Sequence, residues 1–153
     1  MEASMQRMMK YVSRIYRCSQ IDHANFLNTY GLSAPHLSLL LAIKRHPHIS
    51  QDELAKFTFV NKSTITRQIR VLEEQGYIQK ETGDDRRIKT IILTEKGEAL
   101  HPVLIEYLDE VNDDLTQDFS TEEYEQFLNY IEMITKRSNE RIKRLDWKNL
   151  ICE

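Results

Sequence analysis

The sequence predicts a mainly α-helical chain with one small β-hairpin, and three observations carry that prediction. Apolar residues recur at steps of three and four over most of the chain, the spacing of one face of an α-helix. Only four glycines and three prolines occur in 153 residues, too few turn-formers for an all-β fold. The β-branched and aromatic character of strands appears once, after Gly76, in "YIQKE" and "RIKTIIL", with the turn chemistry of "TGDD" between them.

Each element can be justified in order. Met5, Met8, Met9, Val12, Ile15 and Tyr16, then Phe26, Leu27 and Tyr30, mark a first amphipathic helix. Polar "SQIDH" interrupts its stripe, and Gly31 ends it. Ser33 suits the N-cap of a second helix, with Pro35 in the first turn, where a missing N–H costs little. The broad run Leu37, Leu39, Leu40, Leu41 and Ile43 predicts burial on more than one side, and Pro47 stops the helix. Ser50 and Glu53 form a capping box that opens a short third helix. A turn through Thr58, Phe59 and Val60 leads to Asn61, the N-cap of a fourth helix running to about Gln75 and stopping at Gly76. After the hairpin, Thr94 caps a fifth helix with the stripe Leu100, Leu104, Tyr107, Leu108, Val111 and Leu115. A second capping box, Ser120 with Glu123, opens a sixth helix bearing Phe127, Ile131, Ile134, Ile142 and Leu145.

Composition narrows the class. A 41% hydrophobic and 29% charged chain is ordinary for a soluble globular protein. No run approaches the roughly 18 apolar residues that span a bilayer, and "MEASMQRMMKYVSR" lacks the continuous apolar core of a signal peptide. Cys18 and Cys152 lie near opposite ends with no CxxC spacing, so unpaired thiols and a cytoplasmic location are expected. No glycine-rich phosphate loop, G-x-S-x-G or HExxH occurs, so neither an enzyme nor a cofactor is expected.

The net charge of −3 conceals a division. Residues 95–134 hold twelve acidic residues and one basic, a net −11, whereas residues 33–94 hold ten basic and seven acidic, a net +3. Residues 1–32 carry +2 and residues 135–153 carry +3. The acidic stretch reads as a solvated helical face. It would also repel DNA, leaving the basic middle as the surface able to approach a duplex.

On the fourth helix, at about 100° per residue, Ile65, Ile69 and Leu72 share one arc. Ser63, Thr66, Arg67, Arg70 and Glu74 lie opposite, with Lys62 at the margin. Arginine reads guanine bidentately, hydroxyls reach bases or phosphates, and a helix N-terminus favours a phosphate. The bland alternative is a solvated face on which Arg67 and Arg70 pair with Glu73 and Glu74. The short helix just upstream completes a helix-turn-helix, and the hairpin just downstream adds Arg86, Arg87 and Lys89, which favours DNA. The candidate contacts are Asn61, Lys62, Ser63, Thr64, Thr66, Arg67, Arg70, Arg86, Arg87 and Lys89, with Asp85 orienting an arginine of the hairpin.

At this point "DELAKFTFVNKSTITRQIRVLEEQGYIQKE" followed by "DDRRIKTIILTEKG" closely resembles the MarR family of bacterial winged-helix transcription regulators. The matching motifs are Glu53-Leu54-Ala55, Thr66-Arg67 through Gly76-Tyr77-Ile78, Asp85-Arg86-Arg87, and Leu93-Thr94 with Gly97. The resemblance implies a winged helix-turn-helix over residues 33–94 and a dimerisation region over 1–32 and 95–153. It implies a homodimer that binds a near-palindromic stretch of double-stranded DNA, most often as a repressor. The wing is shorter than in many members, which carry a proline-containing loop where this chain has only "TGDD".

The resemblance also implies a signal. Family members are often relieved by a small phenolic or other lipophilic ligand in the crevice between the winged module and the dimerising helices. Tyr16, Tyr30 and His36 are the candidates for lining it, with His23 and His101 able to converge there. Others sense oxidants through a first-helix cysteine, for which Cys18 beside Arg14 and Arg17 is the candidate. A metal-responsive regulator is a further alternative, as is a winged-helix protein-interaction module that binds no DNA.

Overall fold

The computed structural model describes residues 2–83, 85 and 87–145, and the side chains from residue 7 onward within them. In chain order the elements are α1 (Glu2–Asn28), α2 (Ala34–Arg45), β1 (Ile49–Ser50), α3 (Gln51–Thr58), α4 (Lys62–Glu74), β2 (Ile78–Thr82), β3 (Lys89–Leu93), α5 (Glu95–Thr116) and α6 (Thr121–Arg144). The helical order matches the expectation from sequence. α1 runs straight through "SQIDH", because a polar patch on one face removes packing without breaking backbone hydrogen bonds. Gly31 lies beyond the helix, in the left-handed region at φ 69°.

Strand β1 corrects the expected two-stranded hairpin. Ile49 pairs with Ile91 and Ser50 with Thr90, so β3 lies between β1 and β2 in an antiparallel sheet of three. Two residues carry no readable periodicity, so only the tertiary pairing reveals this strand. Ser50 then serves twice, because it also caps α3. Its hydroxyl accepts from the Glu53 N–H (3.2 Å), and its own N–H donates to the Glu53 carboxylate (2.8 Å). The Ser50 N–H, and then the Ser50 hydroxyl 2.7 Å from the same carboxylate oxygen, hold the Glu53 carboxyl below its ordinary range.

One apolar cluster holds the winged module together. Leu27 of α1, Leu40 and Ile43 of α2, Leu54 of α3, Ile65, Ile69 and Leu72 of α4, Ile91 of β3 and Leu104 of α5 are all buried in it. Each such side chain contributes about 1.5–3 kcal/mol relative to exposure. The core therefore takes in the end of α1 and the first three turns of α5. Beyond Tyr107 the pattern changes: Leu108 and Val111 are half-buried, Leu115 is exposed, and α6 buries no residue at all.

The joint between the module and the long helices lies at Tyr77. The Thr94 hydroxyl donates to the Gly76 carbonyl (2.6 Å) and accepts from the Gly97 N–H (3.2 Å), while the Thr94 N–H donates to the Tyr77 carbonyl (3.0 Å). The Tyr77 hydroxyl reaches the carbonyl of Tyr30 at the end of α1 (3.0 Å), and burial raises its pKa above the ordinary value. Lys96 lies 4.2 Å from the Tyr77 ring centre and donates to the Gln75 carbonyl (2.6 Å). Gly97 is required here by close approach, since a Cβ would sit 2.1 Å from the Tyr77 carbonyl oxygen. A Gly97→Ala variant is therefore expected to lose about 1–3 kcal/mol through forced displacement of α5. Urea unfolding checks this, and an unchanged midpoint would contradict the close approach.

Candidate nucleic-acid interface

The helix-turn-helix is shaped by one strained residue and one cap. Phe59 sits in the left-handed region (φ 55°) as the C-cap of α3, returning its N–H to the Ala55 carbonyl. Val60 donates to the same carbonyl at 3.2 Å. Asn61 then caps α4, its side-chain oxygen accepting from the Thr64 N–H (2.8 Å) and the Ser63 hydroxyl (3.0 Å). Ile65, Ile69 and Leu72 are at most 1% exposed, which anchors α4 by the face its periodicity predicts.

The opposite face divides by partner. Lys62 pairs with Asp52 of α3 at 2.7 Å. Thr66 donates to the Lys62 carbonyl (2.9 Å) and lies 3.3 Å from the Gln51 side-chain oxygen of α3. Arg70 pairs with Glu74 one turn on at 2.7 Å, and that bond raises its pKa above the ordinary value. Thus half of the solvated-face alternative holds, for Arg70 only. Arg67 is exposed and, among the described residues, makes no hydrogen bond or ion pair. Asn61 and Thr64 act as architecture at the helix start, and Ser63 is exposed beside them.

In the wing, Gly83 donates to the Ile88 carbonyl (3.0 Å) and Ile88 to the Asp85 carbonyl (2.9 Å), closing a tight hairpin. Asp85 supports this wing by accepting from the Arg87 backbone N–H (3.0 Å). A short aspartate side chain readily meets a backbone N–H two residues on. Lys89 donates to the Thr82 hydroxyl across the strands (3.0 Å). Arg86 and Asp84 lie outside the described residues. Sequence reasoning missed Gln51 and Asp52, which brace Thr66 and Lys62 from α3. Only the crossing of the two helices brings them near.

The expected signal residues have separate surroundings. Tyr16 stands 63% exposed on the outer face of α1. The Tyr30 ring leans on Phe26, and Phe26 stacks on Tyr107 at 3.8 Å. His36 is 2% exposed inside the α2 cap, its Nδ1 accepting from the Ser33 N–H at 2.9 Å. A histidine thus fills the place of the usual Glu or Gln in this capping box. His23 instead meets the Tyr107 hydroxyl at 2.8 Å, and that hydroxyl donates to Asp22 at 3.0 Å. Burial, then Asp22, pushes Tyr107 up to about 12. A crevice of about 490 Å³ does lie between α2, α3 and α5, floored by Leu41, Ala42, Phe57 and Ile105 and edged by Lys44, Arg45 and His101. Cys18 is an exposed free thiol, whereas Cys152 lies outside the described residues. Among the described residues no three His, Cys, Asp or Glu side chains gather as metal ligands. No described helix is long and apolar enough to cross a membrane.

A capped, polar-faced second helix docked across a short first helix, with a three-stranded sheet ending in a wing, defines a winged helix-turn-helix. A family model described as the MarR family matches residues 30–88. The HTH-type transcriptional regulator YybA of Bacillus subtilis (strain 168) is 33% identical over 110 residues, covering 71% of this chain and 70% of the relative. A MarR transcriptional regulator from Methanosarcina mazei Go1 superposes with a TM-score of 0.85 at 26% identity, covering 88% of this chain and 98% of that one. A MarR-family regulator from Listeria monocytogenes, solved with a 26mer DNA, shares the fold at 20% identity and a TM-score of 0.81, over 93% and 92% of the two chains. The chain belongs to the MarR family of transcription regulators.

Burial holds the rings of His23 and His36 below the ordinary imidazole value of 6.5. As pH falls through that value the unfolded chain takes up protons that the folded rings still refuse, so stability falls with pH in the window below 6.5. The expected result is a lower urea midpoint at about pH 5.5 than at about pH 7.5, with a smaller drop in a His36→Asn variant, which keeps an acceptor for Ser33 but cannot titrate. An equal drop in both proteins would exclude His36 as a contributor.

Proposed function

We propose that this regulator binds a near-palindromic DNA operator as a homodimer, with α4 of each copy in the major groove and the wing against the backbone. The observation that carries the reading is Arg67. It is a guanidinium with no hydrogen-bond or ion-pair partner among the described residues, at the centre of an exposed, hydroxyl-bearing helix face. Anchors on the far side of that helix fix its direction. Arg67 reads a base edge, Ser63 and Thr66 flank it, and Lys62 at the helix start meets a phosphate. Arg87 and Lys89 supply backbone contacts from the wing. Half-sites then lie about one helical turn apart, roughly 34–36 Å between centres. Occupancy of a promoter by such a dimer represses.

Relief by a small phenolic or lipophilic compound belongs to the same proposal, with its seat moved from the Tyr16, Tyr30 and His36 set to the crevice between α2, α3 and α5. Its apolar floor takes a ring, and Lys44, Arg45 and His101 attract a phenolate or carboxylate. A ligand wedged there presses α3 away from α5 and so changes the angle at which α4 is presented.

An Arg67→Ala variant is expected to lose about 1–3 kcal/mol on the operator and to relax preference at one base pair. Titration against operator and scrambled duplexes checks this; equal losses on both would remove Arg67 from direct readout. Substituting Arg87 or Lys89 by Ala weakens binding to every duplex and lowers the slope of log K against log salt by about 1 for each phosphate no longer neutralised. An unchanged slope would take that residue off the backbone.

A further inference from the structure

Helix α1 carries a row of cations on one face. Arg7, Lys10, Arg14 and Arg17 fall at steps of three, four and three, and residues 7–21 hold no acidic residue. At about 100° per residue the four occupy an arc of about 80°. Met8, Met9, Val12, Ile15 and Tyr16 form an apolar arc centred about 180° away. That apolar face leads into Phe26, which packs on the core, and Leu27, which is fully buried in it, so the rotation of α1 is fixed. Ile21 falls in the arc of the cations and is 72% exposed, as that rotation requires.

All four cations are exposed, and among the described residues none makes a hydrogen bond or ion pair. Elsewhere Lys44, Lys62, Arg70 and Lys80 each lie on a carboxylate. A solvated helix face ordinarily mixes its signs and gains from neighbours three and four residues apart. Here those neighbours are of one sign and repel, which an external polyanion relieves.

We infer that this face of α1 is a second nucleic-acid surface, which grips the phosphate backbone of duplex DNA without reading bases. It goes beyond the operator reading above and lies apart from the α4 face. Arg17 and Arg7 stand ten and twenty residues before Leu27, about 15 and 30 Å along the helix from the core. The row itself spans about 15 Å, over which one DNA strand presents roughly four phosphates. Three of the four cations are arginines, whose fork matches a phosphate. The described arc holds no amide or aromatic side chain to meet a base edge, so the grip is independent of sequence. A bilayer suits this face poorly, because a helix lying on lipid buries its apolar face, and here that face points away from the cations. An acidic protein suits it less than DNA does, since protein interfaces centre on apolar anchors and this arc offers only Ile21.

The test saturates the protein with a short operator duplex and then adds a scrambled, fluorescently labelled duplex. At low salt a ternary complex is expected in sedimentation velocity. Its log K should fall against log salt with a slope of about −3.6, the value for four phosphates neutralised. A Lys10→Gln, Arg14→Gln variant keeps good helix formers on an exposed face. It is expected to halve that slope, to weaken the second duplex by roughly tenfold and to leave the short operator's affinity unchanged, which also shows that it folds. If no ternary complex forms but the variant weakens an operator duplex with long flanks, the row holds the flank of the same duplex and the backbone contact stands. No ternary complex together with no effect on the flanked operator overturns the proposal. So does equal loss on the short operator, which would place the row in the fold or the dimer. Variant-sensitive binding of polyglutamate or of phosphatidylglycerol vesicles, with every duplex unaffected, assigns the row to an acidic protein or a membrane and overturns it as well. Arg67→Ala separates the two readings: it is expected to lose operator preference while binding to scrambled duplex stays sensitive to Lys10 and Arg14.

Discussion

The close approach of Gly97 to the Tyr77 carbonyl is the constraint on which the remaining architecture depends. It lets the first turn of α5 lie against the backbone that leaves α4, with no side chain between them. Thr94 locks the approach by donating to the Gly76 and Tyr77 carbonyls, and Tyr77 extends it to the end of α1. The winged module and the long helices proposed to dimerise are thus joined through peptide groups, not through compliant side chains. A displacement of α5 has few ways to dissipate before it reaches α4. Coupling of this kind requires only a rigid splice and two arrangements of the helices.

The same logic explains how the polar face of α4 is tuned. Most of its side chains are held by the protein: Lys62 by Asp52, Thr66 by its own helix and Gln51, Arg70 by Glu74. Exposed pairs of this kind contribute little to stability, and they keep long side chains extended over the surface where a duplex would lie. Exchange of Glu74 or Asp52 for a phosphate is then an exchange of one anion for another. Arg67 has no such exchange to make, so the base contact proposed for it breaks no existing pair.

Much of this was legible in the sequence, because the local signals agree with the tertiary outcome. The capping boxes at Ser50 and Ser120, the Asn61 and Thr94 caps and the Ile65, Ile69, Leu72 anchor all sit where spacing puts them. Strand β1 was not legible, because two residues have no period and the pairing with β3 is non-local. His36 shows a different limit. A histidine at the N3 position can serve as a cap acceptor, and only the structure shows its Nδ1 on the Ser33 N–H. The bond from the Arg87 N–H to Asp85 is a backbone contact, which side-chain chemistry alone does not reveal. The charge division also gained meaning from the structure, since the acidic and basic blocks prove to meet along one unsupported helix.

That α6 buries nothing within its own chain has a consequence for folding. Its helix is held by a capping box at one end and little else, so its opening free energy in a lone chain lies near the bottom of the range for native segments. Amide protons of residues 121–144 then exchange almost as in an unfolded peptide until another surface covers the stripe, while those of α4 stay protected throughout. With the proposed dimer, the amount of protein present thereby becomes a structural variable: residues 121–144 are open to proteases at low concentration and are covered only above the association threshold.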